Sequence, residues 1–165
     1  MNYAELAAQA VIDKTMDGLK GRNIRPQFVQ TTAEAIEAIK KLIPTGASVT
    51  TGGSKTLTQI GFIDLLKSGK HPWHNLKAAI VNEPDEDKQM ELRRQSVLAQ
   101  FILGSVHALT QDGLVLITSE TGSQLPGYAY TAENVIWVVG AQKIVPTLDE
   151  AFRRVREYVF PLHDA

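Results

Sequence analysis

The sequence predicts an α/β fold: a single domain over residues 1–165, with a mostly parallel sheet flanked by helices. Three observations lead there. Segments with apolar residues at helical spacing alternate with short apolar runs such as Ala47-Ser48-Val49 and Val135-Ile136-Trp137-Val138-Val139, the order from which parallel sheets are built. Two capping boxes, Thr31-Thr32-Ala33-Glu34 and Thr147-Leu148-Asp149-Glu150, mark helix starts, because a Thr hydroxyl and the Glu three residues on satisfy two otherwise unbonded backbone N–H groups. An Asp112-Gly113 pair between two apolar runs adds one antiparallel hairpin.

Taken in order, residues 4–20 read as a helix with Leu6, Ala10 and Val11 on one face and Gly21 as its stop. Phe28-Val29-Gln30 is a short strand candidate. The helix opened by Thr31 carries Ile36, Ile39 and Ile43 at helical spacing until Pro44. Strand Ala47–Thr51 follows, then a glycine loop and a helix with Leu57, Ile60, Leu65 and Leu66; Gly69 to His74 is a connection. Ala78-Ala79-Ile80-Val81 reads as a buried strand, and residues 85–103 as a helix opened by Asp85-Glu86-Asp87. Val106–Leu109 and Leu114–Ile117 are the arms of the hairpin. Val135–Val139 is the strongest strand, and Phe152, Val155 and Val159 give the last helix its apolar face.

Composition narrows the class. The 165 residues suit one sizeable core, and 44% apolar with 21% charged is an ordinary globular balance. A net charge of −1, with both signs mixed along the chain, leaves no electrostatic footprint for nucleic acid or an anionic membrane. There is no cysteine, which excludes disulfides, thiolate metal sites, cysteine-ligated iron–sulfur clusters and a Cys nucleophile. No apolar run approaches the ~20 residues of a membrane span, and Met1–Glu5 lacks the basic-then-apolar order of a secretory signal. A soluble cytoplasmic protein is expected.

The most informative stretch is Thr51-Gly52-Gly53-Ser54-Lys55-Thr56. A strand that ends in glycines and hydroxyls and then turns into a helix points several backbone N–H groups at one spot, which favours an anion. The glycines admit close approach, Ser54 and Thr56 offer hydroxyls, and Lys55 offers charge. The spacing is neither that of a P-loop nor of the dinucleotide fingerprint. The plainer alternative is a tight turn with Ser54 or Thr56 as N-cap.

Other candidates stand further along. Glu120, in Thr118-Ser119-Glu120-Thr121-Gly122-Ser123, is the candidate general base or nucleophile, against the reading of a solvated loop acid. Asp112 and Gly113 are first of all turn chemistry. Lys143 follows the strong strand and is placed near the edge that carries the Gly52 loop, where it would neutralise a phosphate or carboxylate, against the equal reading of a surface lysine. Together with Gly122 of the Glu120 turn, these three join Thr51–Thr56 as the expected ligand-binding residues. His71 and His74 flank Pro72-Trp73 without nearby carboxylates, so no metal site is expected. His107 reads as a satisfied core histidine, and the arginines at 93, 94, 153, 154 and 156 as solvated helix residues.

Three stretches together resemble the LUD domain family, typified by lactate utilization protein C. Thr51–Gly61 is similar to its glycine–serine loop running into a T-L-x-x-I-G helix; Ser105–Gly113 resembles its A-(I/L)-T-x-D-G turn; Val138–Val145 with Leu148-Asp149-Glu150-Ala151 resembles its V-V-G-x-x-K-I-V…L-x-x-A block. The resemblance spans roughly residues 5–162. It implies the fold shared with ribose-5-phosphate isomerase, glucosamine-6-phosphate deaminase and CoA transferases, whose strand-end loops bind phosphorylated sugars or CoA esters. It also implies a role in a system that oxidises L-lactate to pyruvate alongside iron–sulfur partner subunits. Lacking cysteine, this chain leaves such clusters to its partners. A small organic or phosphorylated anion is then the expected ligand. The rival readings are a stand-alone isomerase, deaminase or acyl transferase, and a non-catalytic assembly subunit; ligand identity and oligomeric state stay open.

Overall fold

The computed structural model describes residues 1–163. Its strands are β1 (Ser48–Thr51), β2 (His74–Asn75), β3 (Phe101–Gly104), β4 (Ala108–Thr110), β5 (Val115–Leu116), β6 (Asn134–Trp137) and β7 (Ile144–Val145). Its α-helices are α1 (Gln9–Gly21), α2 (Thr32–Leu42), α3 (Lys55–Gln59), α4 (Phe62–Ser68), α5 (Leu76–Asn82), α6 (Glu86–Ser96), α7 (Leu148–Arg154) and α8 (Phe160–His163). They form two compact units, one made of Val29–Ser105 and Ser119–Val138, the other of Met1–Phe28, Val106–Thr118 and the described residues from Val139 onward. The mixed α/β class with a parallel sheet and flanking helices is as the sequence predicts.

In the first unit β1, β2, β3 and β6 form a wholly parallel sheet in the order β2-β1-β3-β6. Val49 pairs with Phe101, Thr51 with Leu103, and Leu103 with Ile136, so the side chains of Val49, Leu103 and Ile136 share a face. That face buries Ile39 and Ile43, Leu57 of α3, Phe62 and Leu66 of α4, and Trp73. Each fully buried aliphatic or aromatic side chain there contributes about 1.5–3 kcal/mol. The opposite face carries Ile102 and the paired Gly104 and Trp137. A π-helical turn, Gly127–Thr131, lies on it so closely that a Cβ at Gly127 would overlap the Ile102 side chain. Thr131 ties the turn down by donating to the Val97 carbonyl. The Thr31 capping box is complete, with Thr31 Oγ1 accepting from Glu34 N and the Glu34 carboxylate accepting from Thr31 N.

The second unit holds a three-stranded sheet, β5-β4-β7, with β4–β5 antiparallel and β4–β7 parallel. The predicted hairpin therefore forms, in a separate sheet. Tyr3, Ala108, Val145 and Ala151 are its core, flanked by Leu116 and Tyr158. From Leu148 the chain stays helical through α7, a π segment Val155–Val159 and α8.

Several elements differ from the sequence reading. Phe28–Gln30 is not a strand. Residues 78–81 belong to helix α5, because Asn75 caps it by accepting from Lys77 N; Ile80 is buried while Val81 is exposed. The predicted helix 85–103 stops at Ser96, and Phe101–Gly104 becomes the strand between β1 and β6. The helix after β1 breaks at Gly61, whose φ of 81° separates α3 from α4. On α1 the buried residues are Ile12 and Thr15, while Leu6 precedes the helix and is exposed. At Thr147 the hydroxyl accepts from Glu150 N. The Glu150 carboxylate instead bonds Tyr3 and Arg153.

Candidate functional site

β1 ends in the loop that the sequence singled out. Thr51 is buried, with no partner for its Oγ1, and its pairing with Leu103 sets its side chain on the Val49 face. Ser54 is the N-cap of α3: its Oγ accepts from Leu57 N at 3.2 Å, so the turn reading is realised. α3 has only five residues, too few for its dipole to hold an anion alone. Gly53 is exposed, and a Cβ there would meet nothing within 4 Å. Lys55 is exposed and Thr56 half-buried.

Lys77 supplies charge at this strand end. From α5 its Nζ donates to the Thr51 carbonyl at 3.1 Å. Burial, reinforced by Arg93, holds its pKa below the ordinary lysine value. Among the described residues it makes no salt bridge. A half-buried ammonium beside a glycine turn, with no carboxylate to neutralise it, favours an anion there.

The Ser119–Tyr128 segment closes on the same strand ends. A Cβ at Gly52 would lie 3.6 Å from Gln124 Cβ and 3.8 Å from the Tyr128 hydroxyl. One at Gly104 would overlap that hydroxyl. Gly104 thus makes room for Tyr128, whereas a Cβ at Gly52 would sit in ordinary contact with it; the tyrosine stands edge-on to Trp137 with ring centroids 5.9 Å apart at 73°. Trp137 Nε1 is buried without a hydrogen-bond partner, and burial raises the Tyr128 pKa. Gly122, at φ 71°, turns the segment, its N–H donating to Ser119 Oγ at 2.9 Å. Ser119 Oγ in turn donates to Gln124 Oε1 at 2.9 Å. Glu120 is exposed on this loop.

Asp112, Gly113 and Lys143 belong to the other unit. The Asp112 carboxylate accepts from the Thr110 hydroxyl and, at 3.1 Å, from Arg22 Nη2; the Thr110 bond first, and then Arg22, lower its pKa. Gly113 has φ 84° and packs against the Gly18 backbone. Lys143 Nζ donates to the Val106 carbonyl at 3.0 Å, and burial followed by Arg154 lowers its pKa to about 8. The described contacts of all three are those of structural joints. Arg154 corrects the expectation of solvated arginines: it is 3% exposed, donates to the His107 carbonyl and lies 5.8 and 5.2 Å from the Tyr3 and Tyr158 ring centroids. His107 is half-buried, its Nδ1 accepting from Thr118 N. His71 stacks on Trp73 and contacts the Leu66 carbonyl.

Sequence reasoning missed Lys77, Tyr128 and Trp137. Reading 78–81 as a strand hid the helix that aims Lys77, and nothing local marked the π turn that seats Tyr128. The pairing of Gly104 with Trp137 emerges only once residues 101–104 are known to be a strand.

The model of the LUD domain family matches residues 12–163. The chain belongs to that family, whose domain is associated with lactate utilization proteins. No curated protein and no solved structure matches it. Among the described residues no helix is long and apolar enough to cross a membrane.

Proposed function

We propose that this LUD-domain protein serves L-lactate utilization by binding a small organic or phosphorylated anion at the carboxyl ends of β1 and β3. Oxidation of lactate to pyruvate then runs with partner subunits that carry the iron–sulfur clusters, since this chain has no cysteine to ligate them. One observation carries the anion reading: the half-buried Lys77 ammonium sits at the Thr51 carbonyl, beside Gly52 and Gly53, with no carboxylate partner among the described residues. The position agrees with the general rule that open α/β sheets take ligands outside the carboxyl ends of their strands.

The test is a melting screen of the full chain against L-lactate, pyruvate, inorganic phosphate, sugar phosphates and CoA esters. A ligand at about 100 times its Kd stabilises by about 2.7 kcal/mol, a rise of roughly 5–11 °C for a chain of this size. Lys77→Met is expected to abolish or strongly reduce the rise. Should no compound in the panel raise the melting temperature, the proposal is wrong.

A further inference from the structure

Lys77 brings charge to the end of β1, and further hydrogen-bonding groups come from the Gly127–Thr131 turn and β6. Tyr128 rises from the Gly127–Thr131 π turn, and its hydroxyl lies over Gly104 and beside Gly52. The glycines matter here: a Cβ at Gly104 would overlap the phenol oxygen. Trp137, paired with Gly104 across the β3–β6 ladder, sets its indole next to the phenol. Its Nε1 is shut off from solvent with no acceptor. Buried indole N–H groups ordinarily find a partner, since leaving one unmade costs about 1–3 kcal/mol. π turns of this kind concentrate at functional sites.

We propose that Tyr128 and Trp137 are ligand-binding residues, whose O–H and N–H donate to the carboxylate of a small organic acid seated at the Gly52 end of β1. This assignment rests on the anion reading above and names the chemistry of its ligand. Indole N–H is a donor only, and burial, by raising the phenol's pKa, keeps Tyr128 protonated as a donor too. The two oxygens of one carboxylate can accept from both donors.

Calorimetric titration of the full chain with L-lactate, pyruvate and inorganic phosphate, alongside melting of the unliganded protein, tests this. Tyr128→Phe and Trp137→Phe each keep a ring and remove a donor. Both are expected to weaken lactate or pyruvate binding by about ten- to a hundredfold, the value of a hydrogen bond to a charged group. The melting temperature of Tyr128→Phe without ligand is expected to equal or exceed that of the wild type, because the lost hydroxyl does not serve the fold, while Trp137→Phe is expected to melt somewhat lower because it also gives up ring volume. A purely structural pair would leave affinity unchanged in both variants, with Tyr128→Phe melting below the wild type, and overturn the proposal. So would phosphate binding alone. If a carboxylate binds the wild type and Lys77→Met weakens it while both aromatic variants bind normally, this inference fails and the anion site stands. If neither readout detects any of the three probes in the wild type, the inference fails; a sugar phosphate or CoA ester that still raises the melting temperature would leave the broader anion reading intact.

Discussion

Replacing Gly113 with alanine separates a glycine needed by the fold from one open to a ligand. Gly113 has φ +84°, and a Cβ there would lie 2.6 Å from Gly18 C and 2.7 Å from Gly18 O and Leu19 N. The left-handed backbone costs an L-residue about 1–2 kcal/mol. Forcing a methyl against the backbone of α1, which cannot rotate away, costs about 1–3 kcal/mol more. The sum, about 2–5 kcal/mol, corresponds to a fall in melting temperature of roughly 4–20 °C at this chain length. Gly18→Ala meets the same contact from the other side, with Asp112 C at 2.6 Å, but without a positive φ; only the packing share, about 1–3 kcal/mol, is expected. Gly53→Ala meets nothing within 4 Å and is expected to change stability by no more than about 0.5 kcal/mol. The assay is thermal melting followed by circular dichroism, with urea titration to confirm the order. If Gly113→Ala and Gly18→Ala both melt within about 2 °C of the wild type, the close approach of the turn to α1 is refuted.

Other consequences are open to direct measurement. Gly53→Val, folded as stably as the wild type, is expected to lose ligand-induced stabilisation, because added bulk closes the loop to an anion; normal stabilisation would remove Gly53 from the site. Thr31→Ala removes the hydroxyl half of a complete capping box and is expected to cost about 1 kcal/mol in urea unfolding. Arg154→Ala is expected to cost about 3 kcal/mol, since it empties a buried site between Tyr3 and Tyr158; Arg154→Met, which keeps the stem and removes the charge, is expected to recover more than half of that loss. Lys143 has a folded-state pKa near 8 against an ordinary 10.5, so between those values the unfolded chain binds a proton that the folded chain releases, and stability climbs as pH rises. Tyr3, pushed up to about 12 by burial and Glu150, works the other way above pH 10. Melting at about pH 7.5 and 9.5 is therefore expected to show a rise that Lys143→Met abolishes.

How much of this fold was legible depended on whether the signal was local. The Thr31–Glu34 box, strand β1 and the Asp112-Gly113 turn were read correctly because a few neighbouring atoms decide each of them. Phe101–Gly104 was misread because Val97, Leu98, Phe101 and Ile102 continue a helical spacing. What makes residues 101–104 a strand is pairing with β1 and β6, 52 and 33 positions away along the Val49–Phe101–Asn134 register. Ala78–Val81 failed for the opposite reason: its apolar run suits a buried strand, yet the Asn75 cap sets a helix that leaves Val81 exposed.

The candidate site divides along the same line, and this explains which half of it the sequence could show. Glycines and a capping serine after a strand are a local pattern, so the Gly52 loop was visible; its realised geometry, with Ser54 engaged by Leu57 N, leaves the loop itself few groups to hold an anion. The groups that add charge and directed donors arrive from α5, the π turn and β6. Each is separated from the loop by a crossover; α5 was misassigned and the π turn lacking in the sequence pattern, while β6 was read as a strand but its pairing with Gly104 was not visible. Lys77 in particular looks like any surface lysine until the register of β1 and the start of α5 set its Nζ on the Thr51 carbonyl. Gly104 carries the argument furthest. In the sequence it is one glycine among twelve; in the sheet it is the residue whose missing side chain lets a tyrosine hydroxyl reach the end of the strand. An alanine at Gly104 would push Tyr128 aside while keeping every residue of the Gly52 loop and Lys77 in the sequence. Such a variant would tell whether the aromatic donors and the cationic loop bind one ligand together or act apart.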